Sequence, residues 1–268
     1  MSNPQLAEEK NQAIALPPTQ DELPCDDGIP METERHKHQS DLLINALWER
    51  LKQQNAYVGG NMFVYFSLEQ IRNQDFRGPD VFVVLDVPRT ERKSWVIWEE
   101  GKGPDIVIEL LSESTLNRDK TDKKQIYQSR MRVPEYFWYD PFNPEDFQGF
   151  RLQGSVYQPL EPDSQGRLIS QELNLALVKW SGSYREINTV WLRWATLEGE
   201  ILPTTEEIAE VERQRAEVER QRAEVERQRA EVERQRAEVA EQQLEEMRQY
   251  LRERGIDMPQ SEQESRDN

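Results

Sequence analysis

Apolar residues follow two regimes along this 268-residue chain. Between about residues 33 and 202 they come in short dense runs, and beyond 204 they thin to one strong apolar residue in seven. In the first regime Leu42, Leu43, Ala46, Leu47 and Leu51 recur at three- and four-residue spacing, which predicts a helix from about Thr33 to Gln54. Gly59-Gly60 then turns the chain into NMFVYFSLEQI, a predicted strand. VFVVLDV (81–87), SWVIW (94–98) and DIVIELL (105–111) are rich in β-branched and aromatic residues and predict further strands. A helix over about Leu116 to Arg130, a strand at EYFWYD (135–140) and a hairpin over GFRLQGSVYQPL (149–160) follow, the hairpin turning at Gly154-Ser155. The domain closes near Leu202-Pro203, and its mixture of elements predicts an α+β fold, a mixed β-sheet flanked by helices.

The second regime is a repeat. From Ala209 the unit AEVERQR occurs four times in succession and ends at Arg236. Seven residues are close to two helical turns, and Glu212 with Arg215 or Arg213 with Glu217 form helix-compatible charge pairs. A long charged helix is therefore expected over 204–254. Val211, Val218, Val225 and Val232 supply only one strong apolar residue per heptad, whereas a good coiled coil has two. A solvated single helix and an oligomerising coil, the latter joining copies of the chain, both stay open. Residues 1–30, polar, Pro-rich and with six acids against one base, read as a flexible leader, and 255–268 as a disordered tail. The intervening region, 31–203, carries the fold.

Charge narrows the function classes. The net charge is −17, but residues 31–200 carry 26 acids against 21 bases, so most of the excess sits in the ends. A protein that coats nucleic acid nonspecifically needs clustered Lys and Arg, which this balance opposes without excluding a local basic patch. The best patch is Arg118 to Arg132, six bases including Arg118, Lys120, Lys124 and Arg130 against Asp119 and Asp122. Cys25 stands alone, so no disulfide or multi-cysteine metal site is available. No apolar run approaches the ~18 residues of a membrane span, and no basic-then-apolar signal opens the chain. A reducing cytoplasm is the expected compartment.

Candidate chemistry lies where two segments open alike, GPDVFVVLDV from Gly78 and GPDIVIELLS from Gly103. The second puts Glu109 inside an apolar run, where a carboxylate costs several kcal/mol unless paired or bound to a metal. Strand alternation puts Asp105 and Glu109 on one face but about 13 Å apart, too far to share an ion. An antiparallel return from the Asp80 strand would instead set Asp80 near Glu109, and two such carboxylates need a proton or a cation between them. Magnesium suits that pair, since it takes a few carboxylates and keeps waters. Asp119, Lys123 and Tyr127 recur every fourth residue on one helical face, which could bring a lysine beside the metal and suit phosphodiester hydrolysis. Plainer readings stand beside these. Asp80 and Asp105 could be turn residues after proline, Glu109 a structural ion-pair partner of Lys123, Tyr127 a core aromatic, and His36 and His38 surface residues.

RGPDVFVV, GPDIVIELLS, the Asp119–Lys123–Tyr127 series and VPEYFWYDP (133–141) together resemble the PD-(D/E)xK nuclease superfamily, and in particular its Uma branch, from about Asp26 to Leu202. The resemblance implies a restriction-endonuclease-like, helix-flanked mixed sheet that binds a divalent cation, Mg²⁺ with Mn²⁺ as a substitute, and cuts DNA. Asp80 would match the first acid, Glu109 the second and Lys123 a lysine displaced onto the helix, with Glu34 as a further metal ligand. The superfamily's usual lysine position is Leu111 here, so activity depends on whether Lys123 or Lys124 reaches the same space. The competing expectation is an interaction protein, a nuclease-like fold without turnover that displays its charged helix to partners.

Overall fold

The computed structural model describes residues 17–25, 33–68, 76–112 and 116–255. The chain divides into two compact units, Met1–Thr205 and Glu206–Asn268. In the first, α1 (Glu34–Arg50) starts where the Thr33 side chain accepts a hydrogen bond from the His36 N–H, an N-cap of the usual kind. Its apolar stripe, Leu42, Leu43, Ala46 and Leu47, is fully buried.

A six-stranded mixed sheet carries the unit. Its strands are β1 (Ala56–Gly59), β4 (Val81–Leu85), β6 (Ile106–Leu110), β7 (Glu135–Tyr139), β8 (Phe147–Gln153) and β9 (Val156–Pro159), in the order β1-β4-β6-β7-β8-β9. Only β6 and β7 are parallel, which requires a crossover. That crossover is a helical run, α3 (116–131), with π-helical turns at Asp119–Lys123 and Tyr127–Met131 on either side of α-helical Lys124–Ile126. It ends at Arg132 in the left-handed region, with φ 53°.

Alternation sorts the sheet's two faces. Val81, Val83, Ile106, Ile108 and Phe137 join Leu43 and Leu47 of α1 in one core. Phe82, Val84, Val107 and Tyr136 join Tyr127 and Met131 of α3 in the other. Two smaller sheets complete the unit. One is an antiparallel meander of β10 (Leu168–Ser170), β11 (Leu175–Tyr184) and β12 (Ile187–Ala195), whose Leu177, Leu192 and Trp194 enter the α1-side core. The other pairs β2 (Val64–Tyr65) with β3 (Phe76–Arg77) and β5 (Trp95–Val96). The mixed sheet with its flanking helices is the α+β architecture expected from the sequence.

Several details differ from expectation. NMFVYFSLEQI forms a strand only at β2, and its last residues, from Glu69, lie outside the described part. SWVIW is a strand only at Trp95–Val96 and then coils into α2 (Ile97–Glu100), closed by Gly101 at φ 73°. Strands β1, β3, β10, β11 and β12 were not anticipated. Of the leader, residues 17–25 are ordered: Leu23 is buried against Phe63, Tyr65 and Val96, the Tyr65 hydroxyl donates to the Pro24 carbonyl at 2.6 Å, and Trp98 Nε1 donates to the Pro18 carbonyl at 2.9 Å. One buried leucine and two backbone carbonyls that accept aromatic donors hold a segment whose composition reads as disordered. The rest of the leader and the tail beyond 255 lie outside the described residues.

The second unit is a helix, α4 (Thr205–Glu253), 49 residues long with no buried side chain. Among the described residues no helix is long and apolar enough to cross a membrane.

Candidate active site

The antiparallel register of β4 against β6 pairs Val81 with Ile108, Phe82 with Val107 and Val83 with Ile106. One step further the same register sets Asp80 opposite Glu109, on the face that α3 covers. Asp80 Oδ2 accepts the Leu110 N–H at 2.7 Å, and its carbonyl accepts from Ser40 Oγ at 2.9 Å. Glu109 is fully buried. Tyr127 donates to its Oε1 at 2.6 Å, and Lys123 Nζ lies 2.9 Å from its Oε2. The same ammonium lies 2.7 Å from Asp119 Oδ1, one turn earlier on α3. The structure thus brings Asp80, Glu109, Asp119, Lys123 and Tyr127 to one spot beneath α3.

Charge in this cluster does not balance. Three carboxylates face one ammonium in a dry environment, so a proton is retained among the acids. Burial pushes Glu109 up to about 8, against the pull of Lys123, and the charges of Asp80 and Asp119 add to the rise. Burial raises Asp80 as well, opposed by Lys123 and by the Leu110 N–H. Burial works against the Lys123 ammonium, yet Glu109, Asp119 and Asp80 together hold its pKa above the ordinary lysine value. Tyr127 is held well above its usual value, first by burial and then by Glu109, so it stays a neutral donor.

The Uma2 family, described as "Putative restriction endonuclease", matches residues 16–181, more than half of the chain. The chain belongs to this family. A solved structure of a "putative nuclease belonging to DUF820" from Anabaena variabilis ATCC 29413 shares 20% identity with this Uma2 chain, covering 56% of it and 88% of the other protein, with a TM-score of 0.39. No curated protein matches. Asp80, Glu109 and Lys123 lie within the Uma2 match, and α4 lies outside it.

Other candidates fall elsewhere in the Uma2 unit. Glu34 projects into solvent with its side chain 79% exposed, 3.5 Å from His38 Nε2. Asp105 is a structural acid: its Oδ2 accepts the Leu85 N–H at 2.7 Å and pairs with Lys102 at 2.9 Å. His36 is not a surface residue. It is buried, with Nε2 2.9 Å from the Leu111 carbonyl and Nδ1 2.8 Å from Thr33 Oγ1. A carbonyl can only accept, so Nε2 carries the proton and Nδ1 accepts from threonine. His38 is half-buried. The basic residues of α3 divide. Lys120 pairs with Asp146 at 2.5 Å, and Lys124 lies 3.5 Å over the Phe150 ring, its pKa lowered by burial. Arg118 and Arg130 are exposed, Arg130 stacking 4.9 Å from the Phe66 centroid.

Asp119 was visible in sequence only as the first member of the Lys123 helical series, and its depth, 1% exposed, follows from the crossover geometry of α3. Gly60 stands out in the sequence only as half of the Gly59-Gly60 turn, with no sign of its contact with Asp80. A Cβ there would come within 2.1 Å of the Asp80 carbonyl oxygen and 2.8 Å of Ile44 Cδ1. The first contact is with backbone and cannot rotate away, so Gly60→Ala must move Asp80. Overpacking of this kind costs about 1–3 kcal/mol, and a shift near 1 Å at a reacting centre costs about 100-fold in rate. Gly60→Ala is therefore expected to lower Tm modestly and cleavage strongly, with Asp80, Glu109 and Lys123 all still present. Thermal melts and cleavage assays on the same preparation check it.

Among the described residues no group of three or more His, Cys, Asp or Glu stands at ligand spacing. Asp80 and Glu109 nevertheless fit a hard divalent ion of the Mg²⁺ type, which binds through one or two carboxylates and fills its remaining positions with water and phosphate oxygens.

Proposed function

We propose that this chain is a Mg²⁺-dependent DNA endonuclease that hydrolyses phosphodiester bonds. The observation that carries the reading is the convergence of Asp80, Glu109 and Lys123 beneath α3, within a region matched by a restriction-endonuclease family. Asp80 and Glu109 would hold the cation, and Mn²⁺ should substitute for it. When bound, the ion supplies positive charge to the phosphate and acidifies water near it.

The chain's own groups do the rest. Lys123 stays charged through the neutral range because three acids raise its pKa. An ammonium has three donors; Glu109 takes one and Asp119 holds the charge as an ion-pair partner at 2.7 Å, which leaves donor capacity to meet a phosphate oxygen as negative charge develops. Asp119 anchors Lys123 from its own helix. Tyr127 fixes the orientation of Glu109 through a neutral hydrogen bond. DNA phosphates approaching α3 would meet the exposed Arg118 first; Lys120 and Lys124 are partly occupied by Asp146 and Phe150, and Arg130 lies over the Phe66 ring.

Nicking of supercoiled plasmid tests the reading. Cleavage should require Mg²⁺ or Mn²⁺ and vanish in Asp80→Ala and Lys123→Ala. Absence of cleavage on duplex, nicked and single-stranded DNA with either ion would leave the cluster as a structural ion pair, in a nuclease-like protein that works by interaction.

A further inference from the structure

The heptad region of α4 leaves a line of valines uncovered. Val211, Val218, Val225, Val232 and Val239 are each about half exposed, between 46% and 53%. On a straight α-helix a seven-residue repeat drifts by about 20° per heptad, so over four intervals these valines would wander by about 80° around the axis. Only a left-handed supercoil keeps them on one seam.

With valine at position a, glutamine falls at d, arginine at e and glutamate at g in every repeat. In a parallel in-register pair, each g residue faces the e residue of the partner's next heptad. Here that sets Glu210 against Arg215, Glu217 against Arg222, Glu224 against Arg229 and Glu231 against Arg236. All four contacts join opposite charges, and two-fold symmetry repeats them. An antiparallel pair would instead face g with g and e with e, glutamate against glutamate and arginine against arginine. Within the isolated helix the position-c residues Arg213, Arg227 and Arg234 pair with Glu210, Glu224 and Glu231, so these g glutamates would share their carboxylates between the c arginine of their own helix and the e arginine of the partner. Among the described residues the e arginines at 215, 222, 229 and 236 have no carboxylate partner and can reach across. Valine at a is the β-branched choice of two-stranded coils, where leucine fills d; here glutamine stands at d.

We infer that α4 pairs with α4 of a second copy of this chain as a parallel, in-register, two-stranded coiled coil over about residues 210–239. The seam ends there: Leu244, Met247 and Leu251 continue on another face of the helix. Glutamine at d makes the apolar seam thin, so the e–g charges select both partner and direction. This inference does not depend on the nuclease reading.

Full-length protein should sediment as a dimer, twice the 31.7 kDa of the chain, at micromolar concentration. In a Cys25→Ser background, Gln214→Cys lies near one end of the coil at position d. Mild oxidation should link nearly all of it as a disulfide dimer, because only parallel register sets the two thiols side by side. Changing Arg215, Arg222, Arg229 and Arg236 together to Glu should give a monomer. So should changing Glu210, Glu217, Glu224 and Glu231 together to Arg, and mixing the two variants should restore a dimer. That rescue excludes misfolding as the cause. A monomeric unmodified chain overturns the inference and leaves the face to another protein's helix. A dimer that fails to cross-link through residue 214, or that survives the Arg→Glu exchange, overturns it as well.

Discussion

Replacing Lys123 with methionine is expected to destabilise the N-terminal unit by about 3–5 kcal/mol at mildly alkaline pH, the cost of removing one partner from a buried ion pair. Methionine keeps most of the aliphatic stem, so packing changes little. What is lost is the cation 2.9 Å from Glu109 and 2.7 Å from Asp119. The remaining acids answer by taking up protons, and this sets the pH dependence. Already in the unmodified chain Glu109 is raised from 4.5 to about 8, so between those values the folded state holds a proton that the unfolded chain has released. Stability therefore falls as pH rises through that window. Without the ammonium the folded state must hold more protons, and the fall steepens. The gap between variant and unmodified protein should be widest near the top of the window and narrow toward its acid end. Urea denaturation across the window measures it. Mg²⁺ should recover part of the loss at the alkaline end, because a ligand of the folded state alone stabilises it. A gap that does not change with pH would mean that the three acids are not electrostatically coupled to Lys123.

The same cluster marks where sequence reasoning reached and where it stopped. Period-two alternation in VFVV and IVIEL, with the antiparallel return, was enough to set Asp80 beside Glu109, because register is a local property of two strands. Helical spacing was enough to put Asp119, Lys123 and Tyr127 on one face, and the Gly154-Ser155 hairpin turned as its residues required, with φ 64° at Gly154. The meander β10–β12 was missed because Ile187 to Ala195 shows no clean alternation: Val190, Trp191 and Leu192 run together and Arg193 interrupts them. Arg193 is buried, and its Nη2 donates to the Leu202 carbonyl at 2.9 Å. That partner lies nine residues on, beyond the end of the strand, so the strand's own residues do not announce it. His36 is the same case: its acceptor, the Leu111 carbonyl, is 75 residues away. The π-helical turns of α3 were invisible for a different reason. An i→i+5 hydrogen bond leaves no composition signal, yet such turns gather at functional sites.

Glu135 gives the sharpest contrast with Glu109. Both carboxylates are fully buried, on adjacent parallel strands, with Glu135 paired to Ile106 three residues before Glu109 on β6. Glu135 sits in VPEYFWYDP, where no role suggested itself. Its Oε1 accepts from Arg151 Nη2 at 2.9 Å and from the Gln171 N–H at 2.8 Å, and its Oε2 from Ser170 Oγ at 2.5 Å. Every donor is a fixed neighbour, and together they tie β7 and β8 to β10. Glu109, by contrast, faces two further acids. Saturation by fixed donors distinguishes an acid that builds the fold from one left short of positive charge.

That distinction predicts opposite outcomes for the same substitution. Glu135→Gln leaves the Arg151 guanidinium without its counter-charge and turns an amide group toward donors, so the fold should lose about 3–5 kcal/mol, while Mg²⁺ affinity of the folded fraction stays unchanged. Glu109→Gln replaces a carboxyl that already holds a proton near neutrality with a neutral amide of the same shape. Lys123 keeps Asp119 as its partner, so stability should change by no more than about 1 kcal/mol. Mg²⁺ binding, read by calorimetry, should nevertheless disappear, because one of the two carboxylates that fit the ion is gone. In the unmodified chain that binding should also release a proton near neutral pH, since the ion displaces the one the acids share. Equal losses of stability in the two variants would mean that Glu109 is held as firmly as Glu135, a structural acid after all.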